Sequence, residues 1–223
     1  MYWNDEGYLL GKNNFDENSV IIEVFTLDHG KCSGIVYGGS SRKQKKILQI
    51  GNKILINWKS KGENKIGYFT TELIKPISPI FFDDKKRSIC ILSAASILKI
   101  LLPTKQVNKN IYLTFEKMLN ELNESHWINL YILWEISLIK QLGFEIDFLN
   151  IKNSAISFND PIKANENHLK IPNIYINKSI KKITNQEVRE ALIFNKNLFM
   201  ENFIIPNKLK LPSFRNILEK YYS

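Results

Sequence analysis

The residues of this chain best placed to do chemistry are cations, and the chemistry is charge neutralisation. Lys31 to Lys75 holds ten basic side chains: Lys31, Arg42, Lys43, Lys45, Lys46, Lys53, Lys59, Lys61, Lys65 and Lys75. Only two acids, Glu63 and Glu72, stand among them. The thirty residues before them are the reverse, with Lys12 set against Asp5, Glu6, Asp16, Glu17, Glu23 and Asp28. Cations gathered on one surface and interleaved with aromatic rings suit a polyanion, and nucleic acid is the commonest such partner. Arg42, Lys43, Lys45 and Lys46 form the densest group, in a Gly-flanked stretch read as a loop, and are taken as the main phosphate contacts. Lys31, Lys59, Lys61 and Lys65 extend the patch. Tyr37 and Tyr68 are candidates for stacking on bases, each worth about 1–3 kcal/mol where such contacts form. Trp58 is assigned to the core. The competing reading of the lysines is an ordinary solvated surface, because 27 of the 31 basic residues are Lys.

Covalent and metal chemistry have little support. Two cysteines (Cys32, Cys90) and three histidines (His29, His126, His168) are scattered, whereas a structural zinc site needs four ligands at close spacing. Gly38-Gly39-Ser40-Ser41-Arg42-Lys43 is Gly-rich and basic but lacks the spacing of a phosphate-binding loop. There is no G-x-S-x-G and no H-E-x-x-H. Glu116 and Glu135 sit on otherwise apolar helical stretches and read as solvated edges or ion-pair partners. The expectation is a protein that is not an enzyme and carries no cofactor or metal.

The elements that must present the cations follow from periodicity. Residues 1–80 read as short strands: Gly7–Gly11, Ser19–Leu27, Lys31–Tyr37, Leu48–Lys59 and Ile66–Lys75. Asp28-His29-Gly30 and Gly38-Gly39 mark turns. Strands at this spacing with glycines at the corners predict a small antiparallel barrel. Ile54, Ile56 and Trp58 then face the core, while Leu55, Asn57 and Lys59 face away. Pro76 and Pro79 mark a boundary, after which the period changes to that of helices. One helix is capped by Asp83 or Asp84 and runs to Leu102. A second covers Tyr112–Leu122. A third is capped by Ser125, runs to Leu142 and stops at Gly143. Thr184-Asn185-Gln186-Glu187 is a capping box opening a helix to about Phe203, and Ser213 starts a last one. The predicted fold is α+β, with a barrel domain at 1–79 and a helical domain at 80–223 that carries an irregular insert at about 148–182.

At 223 residues the chain can bury a real core. Its net charge of +9 and 44% hydrophobic content are those of a basic globular protein. The longest apolar run, Ile89–Leu102, is broken by Ser93, Ser96 and Lys99, and no signal-peptide pattern opens the sequence. The expected location is cytoplasmic, without membrane contact and with nucleoid association.

An ordered set of residues resembles the bacterial recombination mediator RecO family. It begins with Trp3, Asp5-Glu6-Gly7 and Glu17-Asn18-Ser19. Phe25-Thr26, His29-Gly30, Gly34, Gly38-Gly39-Ser40-Ser41-Arg42, Leu48-Gln49 and Gly51 follow. The helical part adds Tyr112, Phe115-Glu116, Leu119, Trp127, Tyr131, Trp134-Glu135, Leu138, Leu142-Gly143-Phe144 and Asp147. The resemblance covers residues 1–150 and resumes weakly at Ala191-Leu192. It implies an N-terminal OB-fold barrel and a helical C-terminal domain. It also implies binding of single- and double-stranded DNA and annealing of complementary strands. The implied partners are RecR, in many bacteria RecF, and the acidic tail of single-strand-binding protein, with RecA loaded indirectly. Lys117 and Lys140 are candidates for the basic rim of a groove for that tail. Two departures stand out. Many members carry a four-cysteine zinc module, but residues 148–182 contain no Cys. Positions commonly basic in relatives are Tyr37 and Ser40 here. The alternatives are an OB-fold protein acting on RNA and an interaction scaffold without annealing activity.

Overall fold

Alternation along Lys53–Lys59 sets the first layer of the fold. Ile54, Ile56 and Trp58 are buried, while Leu55 and Asn57 are half-buried and Lys59 is exposed, as a strand with one face on a core requires. The computed structural model of the chain describes residues 1–60, 62, 66–144, 172–176 and 183–222. Five strands, β1 (Tyr2–Asn14), β2 (Val20–Thr26), β3 (Gly30–Val36), β4 (Lys53–Lys59) and β5 (Gly67–Lys75), close into a barrel in the order β1-β2-β3-β5-β4. All pairings are antiparallel except the short parallel contact of β3 with β5, at Gly34–Gly67 and Ile35–Tyr68. This is the OB-fold. Its core joins Leu9, Val20, Ile22, Val24, Val36, Ile54, Ile56, Trp58 and Phe69.

The glycines at the parallel contact are demanded by space. A Cβ on Gly67 would lie 2.0 Å from Trp58 Nε1, and one on Gly34 would lie 2.7 Å from the Phe69 ring. Only a residue without a side chain lets β3 and β5 close over these two rings.

Three local readings change. β1 spans Tyr2–Asn14 rather than Gly7–Gly11 alone, because its polar ends pair with β4 and β2. β4 starts at Lys53, since residues 49–52 form a turn held by the buried Asn52. Asn52 donates to the Ile47 carbonyl at 3.1 Å and accepts from the Ile77 amide at 2.9 Å. The stretch after Gly38-Gly39 is not wholly loop: Arg42–Ile47 forms a helix, α1, with Ser41 as its N-cap.

The compact unit built on the barrel comprises Met1–Leu119 and Leu211–Leu218, so it continues past the Pro76–Pro79 boundary. It includes α2 (Lys85–Leu101), whose N-cap Asp84 accepts from the Arg87 amide, and nearly all of α3 (Lys109–Asn120). α3 packs on the outside of β1 and β2. Tyr112 lies 5.5 Å from the Tyr8 ring and 5.6 Å from the Phe25 ring, and Phe115 lies 5.3 Å from Tyr8.

The second unit comprises Asn120–Lys210 and Glu219–Ser223. It contains α4 (Trp127–Gln141), the single turn α5 (Asn173–Ile176) and α6 (Asn185–Phe199), which runs on into a π-helical turn at Met200–Ile204. α6 carries the capping box of Thr184 and Glu187. His126 rather than Ser125 takes the N-cap position of α4, and it makes no side-chain cap bond. Gly143 ends that helix region at φ +99°. Glu135 is fully buried, not a solvated edge. It accepts from Tyr131 Oη at 2.7 Å and from Asn195 Nδ2 at 3.0 Å. The last helix, α7, covers Ser213–Lys220. Apart from Pro172 and α5, the insert expected at 148–182, with its cysteine-free zinc-module region, lies outside the described residues. No described helix is long and apolar enough to cross a membrane.

Candidate nucleic-acid interface

α1 sorts its residues by face. Ile47 and the following Leu48 pack on the barrel core, and Gln44 accepts from Thr71 Oγ1 on β5 at 3.0 Å. These three recur at helical spacing, i, i+3 and i+4. The remaining positions, Arg42, Lys43, Lys45 and Lys46, are turned away from the barrel. Arg42, Lys43, Lys45 and Lys46 carry no ion-pair partner among the described residues. Lys45 and Lys46 lie in the last turn, where the carbonyl end of a helix favours cations. A helix this short holds because Ser41 Oγ accepts from the Gln44 amide and its inner side is anchored to the barrel.

Sequence reasoning missed Lys12. It lies in the acid-rich opening stretch, yet its Nζ donates to the Leu48 carbonyl at the end of α1, at 3.1 Å. Burial pulls its pKa down, and the neighbouring positive charge of Lys45 pulls it further. Lys12 thus brings a fifth cation to the α1 group.

The acids of the first thirty residues are largely committed to internal partners. Asp5 Oδ2 lies 2.8 Å from His29 Nδ1, and Glu6 lies 2.9 Å from Lys53. Glu23 pairs with Lys99 at 2.7 Å and Asp28 with Lys109 at 2.7 Å. Asp16 accepts from the amides of Asn18 and Ser19. Five of the six acids of the opening stretch are thus held by partners within the protein, while Arg42, Lys43, Lys45 and Lys46 on α1 face solvent.

Lys31 does not join this patch. It is 9% exposed and its Nζ donates to the Lys99 carbonyl at 2.6 Å. Burial holds its pKa below the usual lysine value. Lys59 is exposed, with its ammonium 5.6 Å from the centre of the Tyr2 ring. Lys61 and Lys65 lie outside the described residues. Tyr37 is 66% exposed and its ring lies 6.0 Å from that of the half-buried Tyr68. Trp58 is in the core, as expected. Lys117 and Lys140 are both exposed but belong to different compact units, the first to the barrel unit and the second to the other.

One end of the barrel is aromatic. Trp3 stacks on His29 with ring centres 3.9 Å apart, and on Trp58 at 5.4 Å. These rings, with Tyr2, Ile66 and Lys105, line a cavity of about 1090 Å³. Among the described residues, no group of His, Cys, Asp and Glu is placed to hold a metal ion.

A closed barrel of this strand order, a helix between β3 and β4 that presents four exposed cations, and helices after β5 define an OB-fold protein. Residues 1–77 match the family model described as Recombination protein O N terminal, and residues 83–150 match that described as Recombination protein O C terminal. The DNA repair protein RecO of Roseobacter denitrificans is 32% identical over 147 residues, covering 66% of this chain and 61% of that protein. That of Cereibacter sphaeroides is 34% identical over 148 residues, with 66% and 61% covered. That of Wolbachia pipientis is 32% identical over 149 residues, again with 66% and 61% covered. The chain belongs to the recombination protein O family. The match spans about 61% of the length of these relatives.

Proposed function

We propose that this protein is a recombination mediator in DNA repair. It binds single- and double-stranded DNA through the barrel, anneals complementary strands and helps RecA onto DNA covered by single-strand-binding protein. The observation that carries this reading is the outward group of Arg42, Lys43, Lys45 and Lys46 on α1, joined by Lys12 and without carboxylate partners among the described residues.

The mechanism is electrostatic. Two DNA strands repel each other through their phosphates. Cations aligned on a backbone release condensed counterions, and that release drives binding. Holding two strands on one protein surface raises their effective concentration. Base pairing then completes annealing, with no covalent step. Lys59 extends the same patch along the barrel, and Lys61 and Lys65 follow it in the sequence.

The proposed partners are RecR, RecF where it exists, and the acidic tail of single-strand-binding protein. Lys117 on α3 and Lys140 on α4 are separate candidates for contact with that tail. The deciding experiment is annealing of complementary DNA strands covered by cognate single-strand-binding protein, with and without this protein. Acceleration supports the reading. No acceleration, together with no DNA affinity at low salt, replaces it with a protein-interaction scaffold. Tighter binding to matched RNA than to DNA replaces it with an RNA-directed one.

A further inference from the structure

The outer face of the barrel carries a row of residues that strand pairing alone brings together. Tyr2 on β1 pairs with Lys59 on β4, and Lys59 pairs with Tyr68 on β5. Tyr68 pairs with Ile35 on β3, and Ile35 with Ile21 on β2. Directly paired residues share a face, so all five point outward. Tyr37 lies two residues beyond Ile35 and closes on Tyr68 at 6.0 Å between rings. Tyr2 and Tyr37, 61% and 66% exposed, stand at the two ends of the tyrosine row, with the half-buried Tyr68 between them. Tyr2 and Tyr68 are two strand spacings apart, about 10 Å. Lys59 fills the gap between them, its ammonium over the Tyr2 ring.

The placement fits a single strand. OB-folds receive oligonucleotides on the face of strands 2 and 3 and on the β1–β2 and β4–β5 loops. Here part of the β2–β3 face is covered, since Phe25 packs under Tyr112 and Lys31 is held against the Lys99 carbonyl. The exposed members of the row, Tyr2, Lys59 and Tyr37, lie further around the barrel. At one end the row reaches the aromatic cavity that Tyr2 lines. At the other, Tyr37 leads through Gly38-Gly39 to Ser41 and the cations of α1.

We propose that Tyr2, Tyr68 and Tyr37, with Lys59 between the first two, form a stacking track for unpaired bases, so that this row selects single-stranded DNA while α1 binds phosphates of either form. The inference rests on the DNA-binding reading above. Bases in a duplex are already stacked on one another and offer the row no open ring face. An unpaired base offers one to each tyrosine, and such stacking tolerates any sequence.

The test uses the full chain and three fluorescent probes: an oligo-dT strand, a duplex of equal length, and a strand of that length made of abasic sites. Tyr2→Ala, Tyr37→Ala and Tyr68→Ala are each compared with Tyr→Phe at the same position. Each Ala variant is expected to lose about fivefold or more in affinity for oligo-dT, the lower end of measured base–aromatic contributions. Affinities for the duplex and the abasic strand stay at the wild-type value, and the Phe variants bind oligo-dT like wild type. Equal losses on all three probes, or no loss on any, overturn the track while leaving DNA binding by α1 in place. A wild-type protein that binds none of the probes removes both readings together.

Discussion

Lys53 on β4 and Glu116 on α3 lie 63 residues apart in sequence and meet at 2.9 Å between Nζ and Oε1. Glu116 also accepts from Tyr8 Oη at 2.9 Å, and Lys53 reaches Glu6 at the same distance. This cluster ties α3 to the outside of the barrel. It also ties one of the ten cations of the basic stretch into internal ion pairs. Burial pushes the Glu116 carboxyl up, but the hydrogen bonds from Lys53 and Tyr8 outweigh it and hold the pKa below the usual glutamate value. Burial works to discharge Lys53, and its bonds to Glu116 and Glu6 outweigh that and raise its pKa. Burial and Glu116 together raise the Tyr8 phenol, so it remains a donor.

The sign of the pH dependence follows. A carboxylate with a depressed folded pKa adds stability above its unfolded pKa and loses it as pH falls through the folded value. Urea unfolding midpoints of the wild type should therefore fall in the acid range below the ordinary glutamate pKa. Glu116→Gln should flatten that part of the profile and cost about 1–3 kcal/mol at neutral pH. Lys53 acts with the opposite sign: its contribution is present below the unfolded lysine pKa and disappears only in strong alkali. A Glu116→Gln profile as steep in acid as the wild type would show that the cluster does not govern it.

Replacing Arg42, Lys43, Lys45 and Lys46 together with Ala should weaken DNA binding at moderate salt. For single strands the slope of log K against log salt should become shallower by about 0.7 for each phosphate that is no longer neutralised. Measuring affinity across a salt series checks this. An unchanged slope would move the interface away from α1.

Lys31→Met should leave DNA affinity and salt slope unaltered, because the Lys31 ammonium is held against the Lys99 carbonyl beneath α2. Its effect should appear in thermal or chemical unfolding instead. A fall in DNA affinity at unaltered stability would return Lys31 to the interface.

Gly67→Ala should destabilise the barrel by about 1–3 kcal/mol through overpacking against Trp58. Tryptophan emission during denaturant unfolding reads this directly, since Trp58 is the ring displaced. Wild-type stability in the variant would mean that β5 can shift without penalty at its pairing with β3.

Much of the barrel was legible because burial on one face imposes a period of two, and Ile54, Ile56 and Trp58 display it without ambiguity. The helices from Asp84 and Thr184 were legible because capping is local chemistry, read from residues three apart. α1 was not, since six residues make less than two turns and carry too few apolar positions to show a helical period. Of the candidate site, the α1 cations do stand away from the core, but Lys31 was not excluded. Lys31 does point out from the sheet, opposite Phe25, and is covered by a helix nearly seventy residues away. No local pattern reports such a cover. Tyr2 and Lys12 escaped for the same reason, because each owes its place to a partner distant in sequence, Lys59 for the first and Leu48 for the second.

Composition and local order thus determined by themselves that the chain is basic, that it opens with a small barrel, and that its cations crowd into one stretch. These properties depend on neighbours within a few residues, where side-chain period and capping act. The fold in three dimensions decided which cations are neutralised at home and which meet solvent, and which tyrosines stand in one row. Coulomb attraction and strand pairing act across space, and they join residues that the linear order keeps far apart.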